Sequence, residues 1–323
     1  MAKRESRPGP CISGSNFAPF AAARYNRKLM LTTLRFVARH PYNEGRVSRA
    51  LLRYVRWQLS ARLLGRSKRD YTFTEKTKLI VELGDSSATG NLYCGLYEYA
   101  DMAFVLHLLR PSDLFADIGA NIGAYSVLAA GEIGAECVAV EPIPVTFAKL
   151  RRNVTLNGLH SRVTTLNVGL GAQPGRLRFT HLLGTVNHVA TGEERDTTEV
   201  EVRTLDTVVA ARTPTLLKVD VEGFEAEVLR GGSRTLADDD LKAVIIELNS
   251  AGVRYGSRDV DIHETLLAGG FTACVYDPRS RTLAHRDTYG STGNTLYVRD
   301  LPFARARVRE ARRVSIGPDG HTI

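Results

Sequence analysis

Residues 114–126, LFADIGANIGAYS, constrain the fold more than any other stretch of this chain. An apolar strand over Asp113–Asp117 runs into a turn containing Gly119, Asn121 and Gly123, and a helix over Ile122–Ala130 follows. Glycine lets a backbone turn tightly and approach a ligand with no Cβ in the way. A strand–turn–helix unit of this kind places its ligand at the C-terminal edge of a sheet, against a helix N-terminus. The alternation continues downstream, with strands at 136–140, 163–167, 216–219, 243–247, 272–276 and 295–299, and helices at 145–157 and from Glu225. Such alternation predicts an α/β fold with a doubly wound, largely parallel sheet. Strands near 177–180 and 198–202 flank a polar loop at 181–197. A strand at 78–83 and a helix at 95–109, stopped by Pro111, precede the alternating part.

Charge divides the chain unevenly. Residues 1–70 hold 16 Lys and Arg against 3 Asp and Glu, and the remainder holds 27 against 32. The expected organisation is therefore a basic, partly helical N-terminal arm over 1–70, a slightly acidic body over 71–300, and an Arg-rich tail over 301–323 that frays. Residues 1–23 read as a flexible lead. Within the arm a helical pattern runs from Tyr25 to Leu64, broken at His40-Pro41, with Val47, Leu51, Tyr54 and Val55 on one face. This basic amphipathic segment suits an anionic membrane surface, or else its apolar face docks on the body or a second subunit. Four scattered cysteines with no CxxC pair argue against a disulfide scaffold or thiolate zinc site and fit a reducing compartment. No apolar run approaches the ~18 residues of a membrane span, and no signal peptide is read. The expected location is cytoplasmic, with peripheral membrane contact through the arm.

The turn discriminates between cofactors. Dinucleotides require G-x-G-x-x-G, whose second glycine makes room for the pyrophosphate. Asn121 occupies that position, which disfavours an oxidoreductase. The pattern D-x-G-x-x-x-G suits S-adenosylmethionine, which carries an ammonium and a sulfonium and no phosphate. An acid at Asp117 is favourable near those positive groups. A second acid, Glu141, ends the next strand 22 residues beyond Gly119, where a carboxylate can accept hydrogen bonds from both hydroxyls of a ribose.

The segments FADIGANIGAYS, VEPIPVTFAKLRRNVTLNG, VRTLDTVV, LLKVDVEGFEAEVLRGG and AVIIELN run from Phe115 to Asn249. On these motifs the chain resembles the FkbM family of class I S-adenosylmethionine-dependent methyltransferases. The resemblance implies a Rossmann-like seven-stranded sheet whose last strand is antiparallel. It also implies methyl transfer, usually to a hydroxyl oxygen of a polyketide, sugar or other small acceptor. On matching positions Asp117, Gly119, Asn121 and Gly123 would line the methionine side of the cofactor. Glu141 would hold the ribose, and Asn167 and Val168 would border the adenine.

Chemistry at the acceptor is expected from the acids at the strand ends. Asp220 ends one strand and Glu247 the next, and both ends project into one crevice of an open α/β sheet. An alcohol must lose its proton as it is methylated, and Asp220 or Glu222 is placed to accept it. His188, in the loop HLLGTVNHVATGEERD, is a further base. The alternative use of these acids is a divalent cation such as Mg²⁺, held by Asp220, Glu247 and Asn249. The acceptor is expected to be a small molecule, glycan or glycolipid. A nucleic-acid methyltransferase whose basic arm grips phosphates is the alternative, with charge as its sole support and few aromatics in the arm to stack on bases.

Overall fold

Five consecutive buried residues, Leu114–Ile118, form the central strand, because helices cover both faces of the sheet that contains it. The computed structural model describes residues 30–63, 65, 67–181, 184–192, 194–290 and 293–323. The lead at 1–23 and the helix start at Tyr25 lie outside the described residues. Helix α1 (30–39) and α2 (Val47–Leu63) are separated by a 3-10 turn at Pro41–Asn43, where proline interrupts the helix. A hairpin of β1 (Lys68–Thr72) and β2 (Lys78–Glu82) follows, then α3 (Ser86–Cys94) and α4 (Tyr99–Leu108). The alternating part begins with β3 (Leu114–Ile118), α5 (Ala124–Val127), β4 (Glu136–Val140), α6 (Pro144–Leu156) and β5 (Val163–Leu166). A small separate sheet holds β6 (Gly169–Leu170), β7 (Gly175–Thr180) and β8 (Thr197–Arg203). Then come α7 (Leu205–Val208), β9 (Leu216–Val219), α8 (Glu225–Arg230), α9 (Ser233–Ala237) and β10 (Ala243–Glu247). The chain closes with α10 (Asp259–Ala268), β11 (Thr272–Asp277), β12 (Thr282–His285), β13 (Asn294–Val298), α11 (Leu301–Glu310), β14 (Ser315–Ile316) and β15 (His321–Thr322).

The main sheet has the order β12-β11-β13-β10-β9-β3-β4-β5. Neighbouring pairs from β10 through β9, β3 and β4 to β5 are parallel, and β13 is antiparallel to both of its neighbours. The expected seven strands with an antiparallel last strand are present, and β12 adds an eighth by a tight hairpin to β11. Strand order reverses between β3 and β9, whose register sets Asp117 opposite Lys218. Their C-terminal ends therefore open a crevice at the switch point. Alternate residues face two cores. Phe115, Ala139, Leu216 and Ile245 belong to one, and Ala116, Ile118, Val219 and Ile246 to the other. The strand read at 78–83 forms the hairpin with β1 and stays outside this sheet.

Two expectations are corrected. The arm from residue 30 onward and the tail are not appendages: the divisions at 70 and 300 cut through one continuous core. Ala50, Tyr54, Trp57 and Ala61 of α2 share a hydrophobic cluster with Phe104 of α4 and with Val308, Val314, Ile316 and Ile323 of the tail. The tail does not fray: the Tyr42 hydroxyl donates to the Ile316 carbonyl at 2.9 Å, Arg53 pairs with Asp319, and Arg312 pairs with the buried Glu132. Among the described residues no helix is long and apolar enough to cross a membrane.

Candidate active site

The turn after β3 is built on close backbone approach. Amides of Gly119 and Ala120 both donate to the Val140 carbonyl, at 3.0 and 2.9 Å. Gly119 has φ +78°, and a Cβ there would lie 1.8 Å from the Asp220 carbonyl oxygen. At Gly123, φ +82°, a Cβ would meet Leu150 of α6 at 2.4 Å. Gly119 is thus required by backbone packing and Gly123 by its left-handed conformation, reasons distinct from the ligand space anticipated from the sequence. Asn121 has a positive φ, +50°, and its amide donates to Glu141 Oε2 at 3.0 Å. Glu141 Oε1 accepts from the Ile143 amide at 2.9 Å. These two donors aim the carboxylate, and burial pushes its pKa up to about 7. Asp117 is 1% exposed; Ser126 donates to its Oδ2 at 2.6 Å, and its Oδ1 has no hydrogen-bond partner among the described residues.

A cavity of about 280 Å³ runs along the switch point. Asp117, Glu141, Ile143 and Val168 line it together with Glu98, Asp220, Glu222 and Glu247. Asn167 does not line it. Its side-chain amide donates to the Glu141 and Pro142 carbonyls at 2.8 and 2.9 Å, so it braces the loop that carries Glu141.

Oxygen atoms of Asp220, Glu222 and Glu247 lie within 4.8 Å of one another. Glu222 is held in this cluster by an unusual turn, with φ +55° at Glu222 and +104° at Gly223. Glu225, also acidic, is part of the scaffold: its Oε1 accepts from the amides of Val221 and Gly223 at 3.0 and 3.1 Å. Burial, reinforced by Asp220 and Glu225, pushes Glu222 up to about 7. Burial together with Asp220 and Glu222 pushes Glu247 up to about 9, and its Oε2 has no hydrogen-bond partner among the described residues. Lys218 is 2% exposed, donates to Asp220 Oδ2 at 2.8 Å, and sits 4.9 Å above the Tyr125 ring. Burial alone would lower its pKa, but the charges of Asp220, Glu98 and Asp117 outweigh that and hold it above the ordinary lysine value.

Two candidates fall outside this cluster. The His188 ring nitrogens face the Val186 carbonyl (3.0 Å) and Glu194 (3.3 Å) within their own loop, and Asn187 lines the cavity instead. Asn249 is exposed, and its Oδ1 accepts from the Ala251 amide, capping the next turn. Asp220 and Glu247 remain able to approach one divalent cation, with Glu222 in place of Asn249 as the third oxygen ligand. Glu98 was not anticipated. It enters from the N-cap position of α4, accepts from Asn294 Nδ2 at 2.7 Å, and is pushed up to about 7 by burial. Nothing in a linear pattern marks an acid 122 residues upstream of Asp220 as its neighbour.

Residues 117–277 match the methyltransferase FkbM domain. The 31-O-demethyl-FK506 methyltransferase FkbM of Streptomyces tacrolimicus is 32% identical over 54% of this chain and 79% of its own length. The chain belongs to the FkbM methyltransferase family. Other relatives include the hexuronic acid methyltransferase AglP of Haloferax volcanii, 32% identical over 46% of this chain and 61% of its own. Methyltransferase sdnD of Sordaria araneosa is 29% identical over 41% of this chain and 65% of its own. The matches thus span less than two thirds of these last two relatives. Among solved structures, an FkbM methyltransferase from Methylobacillus flagellatus aligns with TM-score 0.41 and 20% identity, covering 66% of this chain and 53% of its own. In this FkbM-family chain the matched segment carries both the glycine turn and the acids at the ends of β9 and β10, whereas Glu98 lies upstream of it.

Proposed function

We propose that the protein transfers the methyl group of S-adenosylmethionine to a hydroxyl oxygen of an uncharged acceptor, with a sugar hydroxyl as the acceptor class. The observation that carries the cofactor reading is the Asp117 carboxylate, which is buried, lines the cavity, and has one oxygen without a partner. A buried polar atom left unsatisfied is costly, and an ammonium group would satisfy it. Glu141, aimed by two backbone amides, suits a ribose diol, and Ile143 and Val168 offer an apolar flank for a base. When bound, the cofactor supplies an electrophilic methyl carried on a positively charged sulfur.

In the same cavity Asp220, fixed by Lys218, accepts a hydrogen bond from the acceptor hydroxyl and orients it. Glu222 takes the hydroxyl proton: the O–H bond breaks and a carboxyl O–H bond forms. Its proton affinity near neutrality matches that task, since a base works best with a pKa close to the operating pH. The carboxyl groups of Glu98, Asp220, Glu222 and Glu247 exchange hydrogen bonds with a polyol whether protonated or ionised, and Lys218 is the one cation among the described lining residues that could attract an anionic acceptor. A hydroxyl acceptor also accords with a relative named for an O-methyl position. Calorimetry tests the reading. S-adenosylmethionine should bind the wild type, and Asp117→Asn should weaken binding tenfold or more, roughly the value of one charged hydrogen bond. Equal affinity in the two proteins would remove the assignment of Asp117.

A further inference from the structure

Helix α2 is amphipathic twice over. At about 100° per residue, Trp57, Ala50, Ala61 and Tyr54 fall within an arc of roughly 60° and form its buried face. On the opposite side Val55, Leu59, Leu52 and Leu63 fall within an arc of roughly 80°. That second stripe faces outward, with exposures of 44% at Val55, 52% at Leu59, 47% at Leu52 and 74% at Leu63. Arg49 and Arg56 flank it on one edge and Arg62 on the other, all three exposed. Residues Val47–Leu63 contain no acid. A solvated helix face has no need of four aliphatic side chains in line, whereas an interfacial helix places such a stripe among acyl chains with its arginines at the headgroups.

We infer that the outer face of α2 is a docking surface for an anionic lipid bilayer, on which the helix lies in the plane of the interface. Charge selects this occupant. Helices α1 and α2 contain no acid, and Arg49, Arg56 and Arg62 edge the stripe, so a negative surface attracts this face. A second copy docking through the same stripe would set arginine rims against each other, with no carboxylate on α2 to neutralise them. The helix is about 25 Å long, so the stripe offers a line of contacts rather than a single anchor, and the buried face holds it rigidly to the body. This inference is independent of the methyl-transfer reading.

The test uses the full chain and sedimentation with vesicles, of phosphatidylcholine alone or mixed with phosphatidylglycerol. The protein should sediment with the anionic vesicles at low salt, be released by high salt, and ignore phosphatidylcholine. The combined variant Leu52→Ser, Leu59→Ser, Leu63→Ser should partition roughly a hundredfold less. Replacing Arg49, Arg56 and Arg62 by Glu should cost at least fivefold for each, on the order of the value of one surface cation. The altered side chains are exposed, so thermal midpoints should match the wild type. In a separate variant, Leu59→Trp, fluorescence should be quenched by brominated lipid, over the constant background of the buried Trp57. Absence of wild-type binding at low salt would overturn the inference, as would undiminished binding by the triple serine variant. A dimer abolished by the serine variant, in a protein that vesicles leave in solution, would also overturn it and assign the stripe to a second copy. Capture of a soluble acidic protein through the stripe, again without vesicle binding, would count against it in the same way.

Discussion

Replacing Gly119 by alanine should unsettle the whole switch point, and the size of the effect follows from two observations. The new methyl carbon would lie 1.8 Å from the Asp220 carbonyl oxygen, whereas carbon and oxygen in favourable contact stay about 3.3 Å apart. The ends of β3 and β9 must therefore separate by roughly 1.5 Å. That movement strains the hydrogen bond from the Asp220 amide to the Ile118 carbonyl, 3.0 Å long and worth about 1 kcal/mol. Forcing a methyl into packed surroundings adds about 1–3 kcal/mol. A left-handed conformation, φ +78°, adds about 1–2 kcal/mol for any residue bearing a Cβ. The expected loss is about 3–6 kcal/mol, which lowers the thermal midpoint by on the order of 10 °C. Because the collision is with the protein itself, the loss should appear in thermal unfolding without any ligand. Calorimetry should show cofactor binding weakened as well. An alanine variant that unfolds within about 2 °C of the wild type would refute the argument and return Gly119 to a role in clearing space for the ligand.

Other outcomes follow from the same site. Asp220→Asn should keep cofactor affinity within a few-fold, lower turnover by ~10²-fold, and shift the acidic limb of the pH–rate profile to lower pH, because Glu222 loses a like charge. An unshifted limb would separate the two groups. Cofactor affinity should decline as pH falls through about 7, since Glu141, pushed up to about 7 by burial, then loses the ionised form that accepts ribose hydroxyls; a flat calorimetric profile between pH 6 and 8 would contradict this. Glu247 is pushed up to about 9 when folded, above its unfolded value of 4.5. The folded state therefore holds an extra proton, and stability of the ligand-free protein should fall as pH rises towards 9; Glu98, Glu141 and Glu222 add to the fall below about 7, and Glu247→Gln should flatten the part above it in thermal unfolding. Ile316→Ala should cost about 2–5 kcal/mol in denaturant unfolding, as a fully buried side chain does; a negligible cost would restore the fraying tail. Activity should survive EDTA, because Lys218 already supplies counter-charge to Asp220, and a loss restored by Mg²⁺ would transfer that role to a cation.

The sheet and the gathering of Asp117 and Glu141 at the switch point were legible because their physics is local. Buried parallel strands need continuous apolar runs, and the glycines and acids at their ends lie next to them in sequence. The arm misled for a definite reason. Its apolar residues read as one face with Val55 inside, whereas the buried face uses Ala50 and Ala61, small enough for close approach, with Tyr54 and Trp57, leaving Val55 outside. The tail looked solvated because of its arginines. Several of them instead meet acids and carbonyls of the body, as Arg307 does with Asp113 and the Leu108 carbonyl. His188 and Asn249 stood beside the right strands, but local backbone geometry turned their polar atoms to neighbouring loop groups. Glu98 and Asn294 meet through the tertiary fold alone, 196 residues apart.

The most direct test of the methyl-transfer account is the chemical form of a transferred methyl group. The protein is incubated with methyl-labelled S-adenosylmethionine and, in parallel, with pools of neutral glycans, uronic acid glycans, amines and RNA. The products are then treated with base. The account predicts label in the neutral glycan pool as a methyl ether that survives base, with transfer lost in Asp220→Asn. Label that base releases as a methyl ester, label on nitrogen, or no transfer to any hydroxyl compound would contradict it.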